Sequence, residues 1–143
     1  MDELTVGEQV IDALVFPDTR DCLFDLIDGA THLGAPVRAV YQIPAGDYGE
    51  IAGPYPLALI FVTGGSRGFV DRVDRATIEV YAPGQAAVNT LESISASIIG
   101  DSIETPSGFI DSIEADITPA DVPYQSDTLN KATATFLVTS RPL

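Results

Sequence analysis

Along residues 75–82 (RATIEVYA) apolar and polar positions alternate strictly. Ala76, Ile78, Val80 and Ala82 face one way and Thr77, Glu79 and Tyr81 the other, which is the period of a strand. The same period fits residues 37–43 (VRAVYQI), with Val37, Ala39, Tyr41 and Ile43 on one side, and residues 108–118 (GFIDSIEADIT) and 131–141 (KATATFLVTSR). Residues 56–64 (PLALIFVTG) are almost continuously apolar, as in a strand buried on both faces or covered by another subunit. The period changes twice. Pro17 and Asp18 open a helix, with the proline in its first turn, that runs through DTRDCLFDLID to a stop at Gly29. Pro83 and Gly84 open a second, GQAAVNTLESISASII, closed by Gly100, with Ala87, Val88, Leu91, Ile94, Ile98 and Ile99 near one stripe. Residues 44–56 and 119–128, rich in proline, glycine and polar residues, read as loops.

The order helix, strand, strand, strand, helix, strand, strand predicts an α+β fold, a single mixed, mainly antiparallel sheet packed by two main helices. At 143 residues the chain fits one domain, 1–143. Residues 1–16 form an N-terminal arm, less ordered than the rest, where Val10, Ile11, Leu14 and Val15 suit a short helical face. No apolar run approaches the roughly 18 residues of a membrane span. The acidic start MDELTVGEQ lacks the basic and apolar regions of a signal peptide, which predicts a cytoplasmic origin.

On the first helix Cys22, Leu23, Leu26 and Ile27 share a face, so Cys22 belongs to the core. Asp18, Asp21, Asp25 and Asp28 share another and read as a solvated acidic face. Carboxylates along one straight helix face diverge and cannot wrap a cation. With one cysteine and one histidine, His32, the chain has no Cys/His set for zinc and little material for a nucleophilic triad, so no catalytic, cofactor-binding or metal residue is assigned. The formal charge of −14, from 21 acids against seven bases, opposes adsorption to a phosphate backbone. Yet Arg67, Arg72 and Arg75 cluster just after a glycine-rich turn.

That turn, TGGSRG at residues 63–68, is similar to the TGxxxGxG cofactor loop of short-chain dehydrogenases, and a nucleotide-binding oxidoreductase is one alternative reading. The pattern departs from the family at Val70, where glycine is required. The segment that follows reads as a strand, so no helix N-terminus stands ready for the pyrophosphate. The family's tyrosine and lysine stand four apart, whereas the residue four before Lys131, the only lysine, is Asp127. The alternative is a hairpin tip in which Gly64, Gly65 and Gly68 supply positive φ.

The proline-and-acid helix start, the run GGSRGFVDRVDRATIEVYAPG, the small-residue second helix and the closing ATATFLVTSR together resemble the tail terminator, or tail completion, proteins of long-tailed bacteriophages. The resemblance spans about Pro17 to Arg141 and is densest from Asp71 to Gly84. It implies a structural virion protein, made in the host cytoplasm, of which six copies form a ring at the head–tail junction. The ring caps the tail-tube protein, ends polymerisation and offers a surface to the head–tail connector protein, while DNA passes through without specific binding. A head–tail joining protein or a tail-tube subunit is the neighbouring alternative. Gly64, Gly65, Arg67, Gly68, Phe69, Arg72 and Arg75 are the candidate subunit or tube contacts, with residues 64–68 as a mobile tip that orders against a neighbour.

Overall fold

A computed structural model describes residues 15–67 and 71–142. The fold is built around β8 (Asn130–Ser140), whose alternation is complete: Ala132, Ala134, Phe136 and Val138 are buried, while Thr133, Thr135, Leu137 and Thr139 between them are half-buried. β8 lies between β5 (Arg72–Ala82) and β7 (Gly108–Val122), antiparallel to both. Beyond β5 come β4 (Leu57–Arg67), antiparallel, and the short β3 (Arg38–Val40), parallel to β4. Beyond β7 comes β6 (Gly100–Thr105), giving the order β3-β4-β5-β8-β7-β6. A two-residue pairing of β1 (Thr31–His32) with β2 (Ala35–Pro36) stands apart. The expected α+β architecture, mixed and mainly antiparallel, is the one observed.

Two described helices cover one face of this curled sheet. α1 (Thr19–Ile27) begins where the Asp18 carboxylate accepts from the backbone N–H groups of Arg20 and Asp21, so the helix starts just past the cap and Pro17 lies before it rather than in the first turn. α2 (Ala86–Ile98) presents Ala87, Leu91, Ile94 and Ile98 at helical spacing, and its small Thr90 and Ser95 are buried with them. Ile99 falls off that stripe, because the chain turns extended at the C-cap and leaves it exposed. Burying side chains such as Leu91, Ile94 and Phe136 contributes roughly 1.5–3 kcal/mol each. α1 touches β3 and β4 on one side and β6 and β7 on the other, so it spans the two ends of the curl. A smaller cluster of Ile51, Leu57, Tyr81 and Leu129 packs apart from the main core.

Several boundaries differ from the sequence reading. The strand expected at 37–43 is confined to Arg38–Val40, which pair with Leu57, Ala58 and Leu59 of β4. Tyr41 leaves the sheet, stacks against Phe24 at 5.3 Å and donates its hydroxyl to Asp21. β6 was not anticipated, since Gly100 starts a strand instead of only ending a helix. β7 runs past Pro119, which is tolerated because the edge facing away from β8 is unpaired there among the described residues. The aspartate row of α1 is no idle solvated face. Asp25 accepts from the Ser107 backbone N–H at 2.9 Å and Asp28 from that of Ala39 at 3.0 Å, tying the helix to both ends of the curl. Of the N-terminal arm, residues 1–14 lie outside the described residues.

Candidate assembly surface

The glycine-rich stretch is strand, not tip. β4 continues through Thr63, Gly64, Gly65 and Ser66 to Arg67, pairing Gly64 with Arg75, Gly65 with Asp74, Ser66 with Val73 and Arg67 with Arg72. The two glycines serve different needs. Gly64, at φ +117°, sits where the register shifts by a bulge after Val62. Gly65 lies so close to β5 that a Cβ would stand 1.8 Å from the Val73 carbonyl oxygen. The positive φ expected of Gly64 is present, at a bulge within the strand and not at a tip, whereas Gly65 is required by the close approach of β5. Gly68 and Phe69 lie outside the described residues, as do any contacts they make. The chain enters β5 at Arg72, so the helix N-terminus that a nucleotide loop requires does not follow.

The strand register divides the arginines between the two faces. Arg72 shares the parity of Asp74, Ala76 and Ile78, which is the helix side, whereas the side chain of Arg67 lies outside the described residues. Arg75 has the opposite parity. Arg72 donates through Nε to Asp74 at 2.9 Å, and Thr19 at the start of α1 donates to the other Asp74 oxygen at 2.6 Å. Asp74 is buried, so these two charge-assisted bonds compensate a carboxylate withdrawn from water. A cavity of about 270 Å³ opens beside them, bounded by Phe16, Thr19, Arg20, Val62, Arg72 and Asp74.

Arg75 reaches across β8 to Asp116 on β7, 2.8 Å from Nε to Oδ2, and Thr135 donates to the same oxygen at 3.2 Å. The hydrogen bond from Arg75, helped by Thr135, holds the Asp116 carboxyl below its ordinary value of 3.8. Farther along this face Lys131 pairs with Glu79 at 3.3 Å, and the Tyr81 hydroxyl donates to Glu79. Burial first, and that hydrogen bond second, push the Tyr81 hydroxyl well above its ordinary value of 10.0.

The sequence offered Asp71 and Asp74 within the hairpin as partners for the arginines, and Asp74 does pair with Arg72, whereas Asp116, the partner of Arg75, was not foreseen. Asp74 carried a signal, since a carboxylate on the parity of Ala76, Ile78 and Val80 must be paired in the core. Asp116 carried none, because it lies at the β7 irregularity between Ala115 and Ile117, where alternation no longer tells the face. Elsewhere, Cys22 is fully buried as expected, and burial pushes its thiol above the ordinary value of 9.0. His32, expected at the surface or in packing, is buried with Nδ1 2.8 Å from Ser93 Oγ, and burial lowers its pKa from 6.5. No group of three or more potential metal ligands occurs among the described residues. No described helix is long and apolar enough to cross a membrane. No protein-family model matches the chain, and no curated protein matches it significantly.

Proposed function

We propose that this chain is a structural virion protein that assembles into a homohexameric ring on the tail tube of a long-tailed bacteriophage. The ring ends tube polymerisation, presents a face to the head–tail connector protein and lets DNA through without specific contacts. The reading starts from the sequence resemblance between Pro17 and Arg141. The observation that carries it furthest is at the start of β5, where Arg72 and Arg75 keep about half of their side-chain surface exposed in a chain of net charge −14. An acidic surface on an adjoining subunit or on the tube would pair with these half-exposed guanidinium groups and supply partner specificity. An acidic conduit would also repel the phosphate backbone of passing DNA. Closed rings need two different complementary surfaces on each copy, one basic and one acidic in this case.

The intrachain pairs temper the arginine argument without removing it. Arg72 and Arg75 keep roughly half of their side-chain surface exposed while bound to Asp74 and Asp116, so each has donors left for a neighbour. The test is Arg72→Glu with Arg75→Glu, its fold checked by circular dichroism, followed by native mass and by capping of purified tail tubes. Loss of rings and of capping is the expected outcome; a folded double variant that still forms rings and caps tubes refutes the arginine contact. Electron microscopy of the wild type separates the neighbouring readings, because a tube subunit polymerises without limit whereas a terminator stops at a ring. Saturable NADH or NADPH binding would instead favour the oxidoreductase.

A further inference from the structure

Among the described residues the sheet has two long free edges, and they match. On one side, β3 pairs with β4 only at Leu57, Ala58 and Leu59, so residues 60–67 of β4 have no strand partner on that side among the described residues. On the other, β6 pairs with β7 no farther than Ile113, leaving residues 114–122 equally unpartnered. Each stretch spans roughly 25–30 Å of backbone N–H and C=O groups open to another strand. The β7 stretch is exposed along most of its length, and Ile117 in its middle keeps 58% of its surface accessible.

Charge and direction choose the partner. Residues 114–122 carry Glu114, Asp116 and Asp121 and no base, whereas residues 60–67 carry Arg67 and no acid. Two β7 edges brought together would set carboxylates against carboxylates, and Pro119 blunts that edge further. A β7 edge against a β4 edge brings opposite charges together. The four strands β4, β5, β8 and β7 alternate in direction, so β4 and β7 run opposite ways. Rotating one copy about an axis parallel to the strands sets its β7 antiparallel beside the β4 of the next, and repetition continues the ladder without a break in alternation.

We infer that the partner of this surface is a second copy of the chain, joined head to tail by antiparallel pairing of residues 114–122 of β7 with residues 60–67 of β4. The inference rests on the ring reading for its closure but not for the contact itself. In this arrangement the helices face one side of the continuous sheet, and the threonine-bearing face of β5 and β8 faces the other.

Cysteine pairs test it in the full-length protein. Thr63→Cys with Ile117→Cys, and Ser66→Cys with Glu114→Cys, belong to one antiparallel register and lie on exposed positions. The native Cys22 is fully buried and stays silent. Under mild oxidation each double variant is expected to give a ladder of covalent oligomers on a non-reducing gel, while the four single variants stay monomeric. Single variants that dimerise as readily as the doubles overturn the inference in favour of dyad pairing. Wild-type rings seen by native mass without cross-linking in either double variant overturn it and leave the ring reading intact. A ladder from particles that are open filaments upholds the edge contact and refutes the ring cap. A disulfide confined to one chain, formed between Thr63→Cys and Val10→Cys, means that the chain's own first residues occupy the β4 edge, and it also overturns the inference.

Discussion

Replacing Gly65 with alanine should destabilise the protein by about 2–4 kcal/mol, although glycine-to-alanine changes at compatible backbone angles usually stabilise by about 0.4–1 kcal/mol through the unfolded chain. The new Cβ would stand 1.8 Å from the Val73 carbonyl oxygen and 2.7 Å from the Asp74 Cα, both backbone atoms that cannot swing aside. Relief requires β4 and β5 to part. Overpacking of this kind costs about 1–3 kcal/mol, and each ladder hydrogen bond lost adds about 0.5–1.5 kcal/mol. The movement also pulls on Asp74, whose bonds to Thr19 and Arg72 anchor the start of α1. At Gly64 the space is open and only the φ of +117° resists a side chain, so Gly64→Ala should cost about 1–2 kcal/mol. Urea unfolding followed by circular dichroism is the assay. With a slope near 2 kcal/mol per M, Gly65→Ala should lower the midpoint by about 1–2 M. A Gly65→Ala midpoint equal to or above that of the wild type would show that residues 64 and 65 form a free tip, and the strand register would be refuted.

Two further outcomes follow from the described contacts. The depressed Asp116 pKa means that its carboxylate form is favoured by folding, so the Arg75 bond contributes fully above pH 3.8 and is lost as the pH falls from there through the lower folded value. The wild type should therefore exceed Asp116→Asn in urea midpoint at pH 6 and lose that advantage below pH 3.8; an advantage that does not change with pH would refute the linkage. Cys22, fully buried with a raised pKa, should react with a thiol reagent at pH 8 far more slowly in the native protein than in urea, and comparable rates would contradict its placement against the sheet.

β5 and β8 were legible because the alternation of Ala76, Ile78, Val80 and Ala82, and of Ala132, Ala134, Phe136 and Val138, sets the strand period, and β4 because its apolar run is too short for a buried helix. β6 was not, because as an edge strand with no buried residue its GDSIET shows neither period. The far end of β7 was hidden by Pro119, which reads as a breaker unless the open edge beside it is known. At the candidate surface the arginine cluster stood out against an acidic chain, but the division of Arg72 and Arg75 between opposite faces depends on β5 beginning at Arg72 and not at Arg75. The glycines misled for a related reason. A strand that passes close to its neighbour and a turn that bends backward both select glycine, and the letters alone do not separate them.

The central place of β8 sets the order of events during synthesis. The β4–β5 and β6–β7 hairpins are both complete in the chain before residue 130, yet no described strand pairing joins them except through β8. A ribosome that has not yet released residues 130–140 therefore carries two half-sheets with exposed inner edges. Each edge is a template for misplaced pairing. Loss of β8 would cut the sheet in two, whereas loss of the three-residue β3 would only trim one edge. The tolerance of this protein to damage is thus set by position across the sheet and not by distance from the chain's ends.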